Sequence, residues 1–309
     1  MAFKRRKKEE PAEEAMPEAP ETLEAPEASR APPVRNNDVT VMVMPVALPI
    51  VNTATATHIG TREYQQDAAY VCEPLYENGL AYGILCDGMG GTAEGERASS
   101  EVVAFMANRI ATLSGEEILS VFLERAATDA NNLVLGQNAQ LRQDSGTTLL
   151  TVLMDGDMLY WLSVGDSRIY IIRDGEIVQT TTDHNYALEL QEMVELGRIT
   201  QEQADNDPGK EHLISYIGAP VLERIDVNHN PFQMRYGDIV LLCSDGLPKA
   251  LYPDEILEII TLHGNNVAEA ARVLPIIAFD RSPYAMDNTT VILMQYLGRP
   301  AEPVAPSEH

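Results

Sequence analysis

Aspartates at the ends of apolar runs are the residues here with the clearest chemical potential. Asp87 follows Gly83-Ile84-Leu85-Cys86, Asp166 follows Leu162-Ser163-Val164-Gly165, and Asp245 follows Val240-Leu241-Leu242-Cys243-Ser244. Asp287 stands just ahead of a last apolar run. Strand ends on one edge of a sheet can bring together carboxylates that are far apart in sequence. Gathered carboxylates repel one another unless cations neutralise them, and Mg²⁺, Mn²⁺ and Ca²⁺ do so through oxygen ligands. The competing reading is that each Asp-Gly pair only closes a turn.

The elements needed to position these aspartates are legible as alternating apolar runs and turn signals. Strands are predicted at 54–59, 68–72, 81–86, 147–154, 158–164, 168–173, 239–243 and 289–296. Asp155-Gly156 and Asp174-Gly175 have the composition of tight hairpin turns, so the run from 147 to 173 reads as an antiparallel meander. Helical spacing appears in Val102, Phe105, Met106, Ile110 and Leu113, in Ile118, Phe122, Leu123 and Ala126, and over 186–196, 253–262 and 267–279. The expected fold class is α+β, with helices covering antiparallel sheets.

The 309 residues carry a net charge of −25, a field that repels nucleic acid and argues against it as a partner. Residues 1–37 hold seven basic residues against eight glutamates, so nearly all of that charge belongs to the remainder. This Pro/Glu/Ala tract is too poor in apolar residues to offset the entropy of ordering and reads as a disordered tail. Residues 38–52 form an apolar linker or extra strand broken by prolines, the domain proper is expected over 53–298, and 299–309 reads as a flexible tail. No run approaches the roughly 20 apolar residues of a membrane span. Cys72, Cys86 and Cys243 show neither disulfide nor zinc spacing. A cytoplasmic location with reduced thiols is expected.

The aspartates fall inside blocks whose order resembles the metal-dependent protein phosphatases, the type 2C or PPM family in its bacterial form. The blocks are Gly60-Thr61-Arg62-Glu63-Tyr64-Gln65-Gln66-Asp67, Asp87-Gly88-Met89-Gly90-Gly91, Asp144-Ser145-Gly146-Thr147-Thr148, Gly165-Asp166-Ser167-Arg168-Ile169-Tyr170, Ser244-Asp245-Gly246-Leu247 and Asp287-Asn288-Thr289-Thr290. The resemblance implies two antiparallel sheets packed face to face and flanked by helices. It makes Arg62 the grip on substrate phosphate and Asp67 a support of the metal site. Asp87 would bridge two metals, with the Gly88 carbonyl on one and Asp245 and Asp287 on the other. Asp166 would belong to a third, weaker metal site.

The implied chemistry is hydrolysis of phosphoserine and phosphothreonine in proteins by a hydroxide bridging two divalent ions, Mn²⁺ or Mg²⁺. Phosphorylated proteins and a cognate serine/threonine kinase pathway are the implied partners. The alternative is an inactive member that binds phosphoproteins as a scaffold, which predicts a lost metal ligand, yet all five aspartates are present. Covalent cysteine chemistry lacks a cysteine before a glycine-rich loop ending in arginine, and a nucleotidyl transferase lacks its phosphate loop.

Departures from the pattern are Gln65 in place of asparagine, Met89, which cannot donate a proton to a leaving group, and Pro248-Lys249, where an acidic or small polar pair is more usual. A metal-bound water is expected to act as the acid. His184, in Thr182-Asp183-His184, reads as structural, and 198–219 as a mobile flap beside the site. Deleting residues 1–37 should leave phosphopeptide hydrolysis within roughly tenfold of the full chain, ~1.4 kcal/mol of barrier, in a steady-state assay.

Overall fold

Apolar residues on both faces of nearly every central strand dictate a buried sandwich. In Ile239–Cys243, residues Ile239, Leu241 and Cys243 pack into one core while Val240 and Leu242 pack into another. The computed structural model describes residues 51–73, 79–90, 93–264, 266–284 and 286–298. The 1–37 tract, the apolar run as far as residue 50, Gly91 and the 299–309 tail lie outside the described residues.

Twelve strands and seven helices occur among the described residues. In chain order they are β1 (Val51–His58), β2 (Asp67–Cys72), β3 (Leu80–Met89), α1 (Glu94–Ala111), α2 (Leu119–Leu141), β4 (Gly146–Thr147), β5 (Leu149–Asp155), β6 (Met158–Val164), β7 (Arg168–Arg173) and β8 (Glu176–Gln179). They continue as α3 (Tyr186–Glu195), α4 (Gln201–Asp205), β9 (Asp226–Val227), β10 (Phe232–Gln233), β11 (Ile239–Cys243), α5 (Gly246–Ala250), α6 (Pro253–Leu262), α7 (Val267–Arg281) and β12 (Thr289–Tyr296). β1 begins at Val51, two residues ahead of the expected domain start.

One sheet runs β1-β12-β11-β7-β8 and the other β10-β6-β5-β3-β2, with β4 on β3 and β9 on β6, and every pairing is antiparallel. The layer between the sheets is filled from one side by Leu85, Leu150, Val152 and Met154 and from the other by Ile171, Val240, Leu242 and Met294. α1 and α2 cover the outer face of the second sheet, and α5, α6 and α7 cover that of the first. The expected helix–sheet–sheet–helix sandwich is therefore observed.

The meander from 147 to 173 divides. β5–β6 and β7–β8 are the two hairpins expected from Asp155-Gly156 and Asp174-Gly175, but they lie in different sheets. The Gly165-Asp166-Ser167 segment carries the chain from one sheet to the other, which delivers Asp166 to the rim shared by both. α2 runs well past Ala126, the end of its predicted stripe, because Asn131 and Asn138 continue the buried face as hydrogen-bonding residues. Asn131 bonds Ala219 O and Gly218 N at 3.0 and 2.6 Å, and Asn138 Nδ2 donates to Ser145 O at 2.7 Å.

Away from the aspartates, the chain places one well-bonded ion pair where the sheets' ends meet. Arg173 on β7 donates from Nε and Nη2 to Asp238 at 2.9 and 2.5 Å, and from Nη2 to Gln233 O on β10 at 2.8 Å. Asp238 is 3% exposed. Its Oδ2 also accepts from Arg235 N at 2.6 Å, and the guanidinium stacks over Phe232. Removing one partner of such a pair leaves an uncompensated buried charge. Arg173→Ala should lower unfolding free energy in urea by ~3–5 kcal/mol at neutral pH.

Candidate active site

Each aspartate reaches the site through a local device that its sequence block encodes. Asp87 sits near the end of β3, opposite Asp67 in the β2–β3 register. Its backbone is clamped by the two threonines of the 144–148 block: Asp87 N donates to Thr148 Oγ1 at 2.9 Å, and Thr148 N and Thr147 Oγ1 both donate to Asp87 O at 2.9 Å. Thr148 Oγ1 in turn hydrogen-bonds Ser167 Oγ at 2.9 Å, tying Asp87 to the crossover that holds Asp166. Gly88 follows because nothing larger fits: a Cβ there would lie 2.2 Å from Gly95 O and 2.7 Å from Gln66 O.

Asp245 ends the β11 run and directly precedes α5, while Asp287 precedes β12, the partner of β11. The first-motif loop is stitched to the same place by Asn288. Its Oδ1 accepts from Gln66 N at 2.8 Å, and its Nδ2 donates to Ile59 O and Tyr64 O at 2.8 and 3.1 Å. Gly60 adopts φ +66°, and a Cβ there would lie 2.3 Å from Asp287 O, so only glycine lets the loop approach so closely. Arg62, carried by that loop, donates from Nη2 to Asp287 Oδ2 at 2.7 Å.

Together these residues line a cleft of roughly 250 Å³ whose wall includes Arg62, Asp87, Gly88, Asp166, Asp245 and Asp287, with Met89 and Glu211 also facing it. Asp67 is not among the lining residues. It stands behind Asp87, its Oδ2 accepting from Ser244 Oγ at 2.8 Å. Among the described residues, no three carboxylate, thiol or imidazole groups stand closed into a ready-made metal cage. Asp245 and Asp287 are instead turned to the cations Lys249 and Arg62.

The donor set nevertheless fits hard divalent cations. Asp67 Oδ1 and Asp245 Oδ1 are buried without a hydrogen-bond partner, a costly state that a cation would relieve. Burial, reinforced by Asp67 and Asp245, pushes the Asp87 carboxyl far above the usual range. Burial also raises Asp67 to about 7, against the hydrogen bonds from Ser244 and Thr290. Asp166, 8% exposed, is raised to about 7 by burial and then by Asp245, with Lys249 opposing. Asp245 is raised by burial, again against Lys249.

His184 is buried outside the cleft lining, its Nδ1 accepting from Gly165 N at 3.2 Å, and burial lowers its pKa. It braces the Gly165 turn from outside the cleft lining. The expected flap lies beside the site: Glu211 and Leu213 line the cleft, Ile217 bridges to Thr147, and Gly218 and Ala219 are held by Asn131. Sequence reasoning missed three positioning groups: Asn288, the Thr147–Thr148 clamp, and the Arg168–Asp183 fork with contacts of 2.7–3.1 Å. Asn288 and the threonines stood inside quoted blocks, but only their three-dimensional partners reveal their task.

A two-sheet sandwich with a carboxylate-lined cleft at the rim defines a candidate metal-dependent hydrolase. Its relatives narrow this further. The protein phosphatase 2C family model matches residues 55–272, and the chain belongs to that family. It is 34% identical to the serine/threonine protein phosphatase PstP of Mycobacterium tuberculosis over 213 residues, 68% of this chain and 39% of the relative. It therefore spans about two fifths of that relative's length. The serine/threonine phosphatase stp of Listeria monocytogenes is 32% identical over 69% of this chain and 83% of its own.

Among solved structures, the Streptococcus agalactiae serine/threonine phosphatase superposes with a TM-score of 0.71 at 28% identity, over 80% of this chain and 99% of that one. The catalytic domain of PstP, solved in complex with two manganese ions, gives 0.65 at 31% identity, over 81% and 99%.

The raised carboxyl values make a metal-free prediction. The folded state holds these protons more tightly than the unfolded chain, whose carboxyls titrate near 3.8. Ionisation therefore costs stability, which falls as pH rises from about 4 through about 7, the range over which Asp67 and Asp166 lose their protons. Denaturant melts in chelator should show this decline. Asp67→Asn should flatten part of it, and added Mn²⁺ should reverse it at the upper end.

Proposed function

We propose that this chain is a protein serine/threonine phosphatase that hydrolyses phosphoserine and phosphothreonine with two divalent cations, Mn²⁺ or Mg²⁺, bound in the aspartate cleft. The carrying observation is that Asp87, Asp166, Asp245 and Asp287, from four separate segments, line one cleft in which Asp245 Oδ1 is buried without a partner. The crystallised PstP catalytic domain, with its two manganese ions, supports the reading. Asp87, the Gly88 carbonyl, Asp245 and Asp287 would hold the pair, with Asp67 behind them. Bound there, the ions supply a lowered pKa for water and positive charge against the charge developing on phosphorus.

The chain's own residues do the rest. Arg62 is half exposed at the cleft wall, and its planar guanidinium can exchange Asp287 for two phosphate oxygens, fixing orientation. Met89 faces the cleft without a donor, so the leaving alkoxide takes its proton from solvent in the open cleft. Glu211 adds a negative charge to the wall, disfavouring acidic residues beside the phosphoserine. The 198–219 flap carries that residue and tunes substrate choice. Phosphorylated proteins and a cognate serine/threonine kinase pathway are the proposed partners. A cytoplasmic setting agrees with three buried free cysteines, and among the described residues no helix is long and apolar enough to cross a membrane.

Asp245→Asn tests the centre of the reading, because it keeps size while removing one negative charge. Mn²⁺ affinity and phosphopeptide turnover should fall together, turnover by roughly 10²-fold or more, while the melting temperature in chelator does not decrease. Unchanged activity with unchanged Mn²⁺ dependence would show that the aspartate merely shapes the turn.

A further inference from the structure

Lys249 is the one residue of the Ser-Asp-Gly-Leu block region whose type runs against the site's chemistry, and the fold places it inside that chemistry. α5 starts immediately after Asp245, so Lys249 falls one helical turn later and its stem folds back over the strand end. Its ammonium donates to Asp245 Oδ2 and lies 4.0 Å from Asp287 Oδ2. Its charge also acts on Asp166, the crossover aspartate contributed between β6 and β7. One cation thus sits on Asp245, close to Asp287, and adds its field at Asp166, three carboxylates that arrive from separate elements.

The two oxygens of Asp245 are differently engaged. Oδ2 is taken by Lys249, whereas Oδ1 is buried without a hydrogen-bond partner. Oδ1 remains for a divalent ion of the catalytic pair. A further divalent ion between Asp166 and Asp245 would have to share Oδ2 with an ammonium and stand beside its positive charge.

We propose that the Lys249 ammonium, seated on Asp245 Oδ2, is a built-in cation that keeps a third divalent ion from binding between Asp166 and Asp245, so that the cleft binds two divalent ions and no more. The inference rests on the two-metal reading given above. It leaves Asp166 in the field of a lysine held on Asp245, with no divalent ion of its own. It also gives the chain a third positive charge that does not depend on metal concentration.

Counting bound Mn²⁺ tests this without reference to activity. The full-length chain, stripped with chelator and dialysed, is titrated with Mn²⁺ while the free ion is followed by its electron paramagnetic resonance signal. Wild type should take up two equivalents, as should Lys249→Arg. Lys249→Met should gain a third equivalent, at least tenfold weaker than the other two, and adding Asp166→Asn to it should abolish that gain. Circular dichroism checks the fold, with Lys249→Gln as the substitute should the methionine variant not fold. Three equivalents in wild type, or two in both neutral variants, would overturn the proposal and leave the two-metal reading intact. No bound Mn²⁺ in wild type would overturn both.

Discussion

Mutual repulsion among carboxylates is the constraint around which this molecule is organised. Five aspartates are brought toward one rim of the sandwich, and burial pushes Asp67, Asp87, Asp166 and Asp245 toward the protonated state. A soft scaffold would let them spread apart. Two sheets with a solid apolar layer between them do not, because close-packed interiors transmit strain with little give. Arg62 and Lys249 provide partial relief, each taking one oxygen of a different aspartate. The uncompensated remainder is what the proposed pair of divalent cations would neutralise.

Holding the aspartates is the work of neutral polar residues. Asn288 pins the loop that carries Arg62, Thr147 and Thr148 fix Asp87, and Ser244 joins Asp67 to β12 through Thr290 N. These groups are almost wholly buried, and each lies beside an aspartate in sequence or across one strand pairing. A single bracket therefore sets two or three charges at once. The order of the blocks becomes physically intelligible: Ser244 beside Asp245 holds Asp67, and the threonines of the 144–148 block hold Asp87.

Much of this was legible in the sequence, and the illegible parts share a cause. Long apolar strands such as Ile239–Cys243, and the aspartates that end them, stand out because burial on both faces demands continuous hydrophobicity. The split of the 147–173 meander did not, since hairpin turns specify local pairing and say nothing of which sheet receives the next hairpin. Short β9 and β10 carry too few residues for any period. The far half of α2 was hidden by Asn131 and Asn138, polar residues whose partners lie in distant loops. Lys249 looked like an irregularity until α5 was seen to turn it toward Asp245.

The pairing of β1 with β12 has a consequence for how the molecule comes into being. The first described strand finds its partner in the last, and Arg62 meets Asp287 across 225 residues of chain. Contacts of such separation are slow to form, because a long loop must close before any stabilisation is gained. On the ribosome, Asp67, Asp87 and Asp166 emerge well before β12 exists to complete the rim. A nascent or prematurely terminated chain can thus build helices and most of one sheet yet have no assembled cleft. The cleft is therefore assembled only once β12 has been made and paired.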